Sequence, residues 1–144
     1  MIFLRCILIV GGIGLGACGS SAKAPAGPVT FPAPVLLTTT SDSKALQIAV
    51  RTSPSQPPGR GVVSVQYTVT NAQGAGQDGL SLTPQLWMVT MGHGSATTPT
   101  VTARGQGIYQ LDNVDFFMPG QWQIRTLLVG GQVSDSAAPS FEIP

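Results

Sequence analysis

An all-β chain, folded as a β-sandwich of about seven strands, is what this sequence predicts. Three observations carry the prediction. Apolar and polar residues alternate over short runs, the period of two that puts one face of a strand on a core. No run keeps a 3.6-residue period for longer than a turn or two. The 144 residues include 18 glycines and 12 prolines and only 9% are charged, which suits strands joined by tight turns better than helices.

Residues 1–17 have the layout of a bacterial export signal. Arg5 is the only early charge, the stretch from Cys6 to Gly14 is uncharged, and small residues follow before Cys18. The apolar run falls well short of the ~20 residues that a spanning helix needs. Leu15-Gly16-Ala17-Cys18 resembles a lipobox, the signal of bacterial lipoproteins. That resemblance implies that Cys18 is acylated, becomes the first mature residue and anchors the protein to an envelope membrane. Acyl chains at ~0.8 kcal/mol per buried methylene make such an anchor long-lived. Gly19 and Ser20 follow the cysteine without an aspartate, which resembles routing to the outer membrane, facing the periplasm.

Removal of the signal takes Arg5 and Cys6 with it, so the remaining basic residues balance the six acids. A neutral chain argues against nucleic acid or an anionic membrane surface as the ligand. With Cys18 consumed by lipid, no cysteine is left for a disulfide, and the fold must be held by its core. One domain of ~100 residues can supply that core. Residues 18–34 have no apolar periodicity and contain four prolines, so they are expected to form a disordered spacer ahead of a domain at 35–144.

Within the domain, Leu46, Ile48 and Val50 alternate with polar neighbours as a half-buried strand. The proline-rich stretch from Ser53 to Gly59 ends it. Val63, Val65, Tyr67 and Val69 form the clearest alternation in the chain. A glycine-rich loop from Asn71 to Gly79 follows. Leu80, Leu82, Leu86 and Trp87 make another apolar segment, interrupted by Pro84, which a central strand would not tolerate. Thr98–Ala103 is short and β-branched, and Arg104–Gly107 turns the chain into Ile108, Tyr109 and Leu111. Asp112, Asn113 and Asp115 have the character of a polar turn between strands. Pro119-Gly120 predicts a tight turn with glycine at positive φ. Trp122, Ile124, Thr126 and Leu128 then face the core, Gly130-Gly131 turns the chain, and Phe141 and Ile143 close it.

One cluster stands out chemically: Trp87-Met88-Val89-Thr90-Met91-Gly92-His93-Gly94, which holds the chain's single histidine. Thioether sulfur is a soft ligand and imidazole a borderline one. Without free thiols, methionine and histidine are the side chains left to bind Cu(I). Met91 and His93 are two apart, so an extended backbone would send both side chains to one face. Met88 is a third candidate ligand if the backbone curls, and Met118 another. A structural account of the same residues has the histidine as a loop residue and the methionines as core filler. Zinc fits less well, with one histidine, no thiol and no nearby carboxylate. Catalysis is not expected. Ser95 beside His93 makes no nucleophile–base pair, and the glycine-rich loop lacks the lysine and helix of a phosphate cradle.

Trp87, Met88, Met91, His93, Pro99, Gly107, Tyr109, Phe117, Met118, Gly120 and Trp122 stand in an order and spacing similar to those of the YtkA-like (FixH-like) family of bacterial envelope domains. The family's pattern is an apolar residue or tryptophan, Met-Pro-x-Met-x-His, a proline-containing segment, Gly-x-Tyr and a Met-x-Gly-x-Trp ending. The likeness covers roughly Val35 to Ile143 and is specific from Trp87 to Trp122. Val89 departs from it, standing where members have proline. The resemblance implies an immunoglobulin-like sandwich and a role in copper handling or respiratory oxidase maturation, with a copper donor or acceptor protein as partner. The other reading is a module that docks an envelope or membrane complex without any ion. Tyr109 and Trp122 are expected to be structural, Tyr109 by bonding back to the backbone and Trp122 by filling the core.

Overall fold

A computed structural model describes residues 28–144. The signal segment, Cys18 and the spacer as far as Gly27 lie outside the described residues. Ten strands follow in order: β1 (Leu37–Thr40), β2 (Leu46–Ser53), β3 (Gly61–Asn71), β4 (Ser81–Met88), β5 (His93–Gly94), β6 (Thr100–Gly105), β7 (Ile108–Phe116), β8 (Gly120–Gly130), β9 (Val133–Ala137) and β10 (Ser140–Ile143). They form two antiparallel sheets. One has the order β1-β2-β3-β7-β6; the other runs β10-β8-β4-β5, with β9 also paired to β8. The surplus over seven strands comes from short pieces, among them the two residues of β5.

The alternating runs meet between the sheets. Ile48 and Val50 of β2, Val65, Tyr67 and Val69 of β3, and Trp122, Ile124 and Leu128 of β8 are fully buried, with Thr126 beside them. The Phe116 ring sits edge-on to Trp122 at 5.8 Å and 5.6 Å from Phe141, filling one end of the core. Burial pushes the Tyr67 phenol far above its ordinary pKa, and its hydroxyl lies 3.4 Å from Thr126 Oγ1. Among the described residues no buried side-chain nitrogen or oxygen lacks a partner.

Two expectations are corrected. Pro84 lies inside β4, paired with Thr126 of β8. The carbonyls of Leu86 and Met88 accept hydrogen bonds from Ser95 and Gly92, so the even-numbered peptide groups of β4 face the β5 side. β5 covers only Trp87 and Met88, so the missing N–H of Pro84 falls on an open edge where no ladder bond is lost. Asp112, Asn113 and Asp115 are not a turn between strands. They belong to β7, where Asn113 takes φ +62° and the register to β3 shifts between Val63 and Val65. This is a β-bulge, and asparagine tolerates the left-handed conformation that it requires. Ser64 Oγ donates to Asp112 Oδ1 there at 2.6 Å. Just ahead of β1, Arg51 Nε donates to the Ala33 carbonyl (3.1 Å) and Gln56 Nε2 to that of Pro34 (2.7 Å), where the segment at 18–34 meets the sandwich.

At one end of the sandwich Tyr109 does what a tyrosine after a turn was expected to do. Its hydroxyl donates to the Gln77 carbonyl at 2.8 Å and accepts from the Leu80 N–H at 3.0 Å. The Asp78 carboxylate caps the opposing turn, accepting from the N–H groups of Gln106 (3.1 Å) and Gly107 (2.7 Å).

A candidate metal-binding hairpin

Strands β4 and β5 are joined by a four-residue turn, Val89–Gly92, closed by the Gly92 N–H donating to the Met88 carbonyl at 3.0 Å. Gly92 takes φ +67°, a conformation that glycine adopts without strain. The Val89 N–H donates to the Gln121 carbonyl at 2.9 Å, which ties the turn to β8. Met91 therefore sits in a turn and not in an extended strand, so the same-face argument from a spacing of two does not apply to it. The backbone does curl here, as a contribution from Met88 would need.

The four candidate ligands have different surroundings. Met91 is 58% exposed, and His93 is exposed at the start of β5. Met88 is the cross-strand partner of both His93 and Trp122, so all three share the core-facing side of their sheet. Met88 is only 3% exposed and reaches under the next loop: a Cβ added at Gly120 would stand 3.0 Å from its methyl carbon. Met118 is half-buried against the core, and its carbonyl accepts the Trp122 indole N–H at 2.9 Å.

His93 is held in two ways. Its Nδ1 lies 3.1 Å from the Gly94 carbonyl. A proton on Nδ1 makes this a hydrogen bond and leaves the Nε2 lone pair free to take a metal. Its ring also lies nearly parallel to Phe117, with centroids 6.4 Å apart and 19° between planes, and Phe117 in turn stands edge-on to Trp122 at 5.1 Å. Sequence reasoning used Phe117 as part of the family resemblance and gave it no place at the site. The signal was present: it follows Phe116 directly, so two adjacent aromatics in an alternating strand cannot both point inward.

Trp87, on the outer side of β4, carries the Arg125 guanidinium 4.4 Å above its ring, a cation–π pair that keeps it half-covered. Among the described residues no three His, Cys, Asp or Glu side chains come together. A metal at this hairpin would rest on thioether and one imidazole, a donor set suited to a soft ion.

A family model described as YtkA-like matches residues 40–126, which run from the end of β1 to the middle of β8 and include the whole hairpin and the β7–β8 connection. No curated protein and no solved structure matches the chain.

Proposed function

The chain belongs to the YtkA-like family, and from that premise we propose that it is an envelope lipoprotein, held through Cys18, whose sandwich captures Cu(I) at the β4–β5 hairpin and passes it on. The observation that carries this reading is the exposure of both Met91, on the β4–β5 turn, and His93, at the start of β5. A soft sulfur and an imidazole with a free Nε2 suit an ion that has to be bound and released. Met118 or Met88, lying beneath, would complete the set on rearrangement of its side chain. The partner would be a copper donor or acceptor in copper handling or oxidase maturation.

The test is an anaerobic Cu(I) titration of the exported Cys18→Ala chain against a competing chelator, beside a Met91→Ala/His93→Ala variant. One-to-one binding that disappears in the variant is the expected outcome. Absence of binding, or binding that the variant keeps, overturns the copper reading.

A second reading has its own observation. Val89, Met91 and Phe117 are all exposed apolar side chains in or beside this hairpin, as a docking surface would require. In that reading the module contacts an envelope or membrane complex, and unchanged His93 NMR signals on Cu(I) addition would favour it.

A further inference from the structure

The exposed apolar side chains are distributed unevenly. β3 begins at Gly61 opposite Phe116, the last residue of β7, and β8 begins at Gly120 beside the end of β4. The start of β3, the β7–β8 connection and the β4–β5 turn therefore share one end of the sandwich. Val62 (61% exposed), Phe117 (44%), Val89 and Met91 all lie there. Val29 joins them: with Pro28, Pro54 and Val62 it lines an open groove of about 480 Å³. The opposite end carries Asp42, Lys44, Asp78 and, near the end of β6, Arg104; among the described residues its loops hold no exposed large apolar side chain, and the exposed Leu127 and Val129 lie on the outer face of β8.

The chain that leads back to Cys18 leaves from the apolar end, because Pro28 lies in that groove. About ten residues separate it from Cys18, a reach of at most ~36 Å. The eleven residues of β3 make the sandwich ~35 Å long. A tether of this length holds the apolar end close to the lipid. It could bring the polar end there only by running nearly straight along the whole domain.

We propose that this end, through Val29, Val62, Val89, Met91 and Phe117, rests in the interfacial layer of the phospholipid bilayer that holds the acyl anchor. The side chains that flank it, Arg51 and Arg60 against Asp115 and Glu142, sum to no net charge. The contact is therefore apolar and insensitive to salt, unlike a polybasic attachment. It adds a second, protein-borne signal to the lipid and holds the hairpin at the membrane surface. The proposal rests on the Cys18 anchor and not on the copper reading.

The test is hydrogen–deuterium exchange on the full chain, purified from bacterial membranes and reconstituted in phosphatidylethanolamine–phosphatidylglycerol vesicles. The comparison is the exported Cys18→Ala chain in buffer, and the N-terminal peptide of the reconstituted sample is weighed by mass spectrometry. Slower exchange in residues 86–94 and 114–120 on vesicles, with residues 72–79 and 104–107 unchanged, is the expected result. A Val62→Ser/Val89→Ser/Phe117→Ser variant should lose that protection while β3 and β8 exchange as before. An acylated chain whose apolar end exchanges as freely on vesicles as in buffer overturns the docking alone. An N-terminus without acyl groups overturns the anchor and the proposal with it. Protection that grows with protein density identifies a second copy as the occupant, and protection found only in native membranes a protein partner; either overturns the lipid assignment.

Discussion

The Tyr109 hydroxyl uses one oxygen to hold both ends of a short segment, donating to the Gln77 carbonyl and accepting from the Leu80 N–H. Removing it leaves a carbonyl and an N–H unpaired near the core, at a cost of about 1–3 kcal/mol for a buried group. Tyr109→Phe should therefore lower the unfolding free energy by that amount, read as a lower urea midpoint with an unchanged slope of the transition, since the ring still packs. Gly107 is more constrained. It takes φ +74°, and a Cβ there would overlap the Val69 carbonyl oxygen and stand 2.8 Å from the Gln77 nitrogen. Gly107→Ala should cost at least about 2 kcal/mol, since positive φ and a backbone clash add. Equal thermal midpoints for Gly107→Ala and the parent would show that the turn can move aside.

The loop between β1 and β2 is joined to β9 through carboxylates, and this ties an element of one sheet to the other. Ser43 donates to Asp135 through its N–H (3.1 Å) and its hydroxyl, and the Ser136 hydroxyl meets Asp42. Partial burial would raise the Asp135 pKa, but hydrogen bonds from the Ser41 and Ser43 hydroxyls and from the Ser43 and Ser136 N–H groups outweigh it and hold the carboxyl at about 2. A folded-state pKa below the ordinary 3.8 means that the stabilisation is fully present above 3.8 and is lost as pH falls towards 2. The unfolding midpoint should drop between pH 5 and pH 2.5, and Asp135→Asn should flatten that part of the profile. The same elements show what the sequence can reveal. Strands β2, β3 and β8 were legible because Ile48, Val65 and Trp122 sit in strict alternation, a local signal that survives folding. The bulge at Asn113 was not legible. A left-handed residue inside a strand and one between strands have the same composition, and only pairing with β3 distinguishes them. Met91 was misplaced for a related reason: spacing alone does not say whether the chain is extended or turning, and the closing bond from Gly92 to Met88 decides it.

At the scale of the molecule, the hairpin belongs to a rigid row. Phe141, Trp122, Met88 and His93 are successive cross-strand neighbours over β10, β8, β4 and β5. The position of the imidazole is thus set by core packing, and of the four candidate ligands only Met91 stands on a turn open to solvent. The sequence disclosed which residue types gather here. It did not disclose that Met88 is inside and Met91 outside, because burial depends on the partner strand and not on neighbours along the chain.

Pro84 has a consequence beyond its own strand. From Ser81 to Gln85 the β4 edge has no neighbour within the described residues, so its outward peptide groups are a template on which another extended chain could add. A missing donor at the middle of that template breaks the ladder that an incoming strand would build, and the short β5 hairpin obstructs its end. Molecules confined to a plane meet edge to edge far more often than molecules free in three dimensions. If the chain is held to a membrane as proposed, this one imino acid limits growth along the β4 edge.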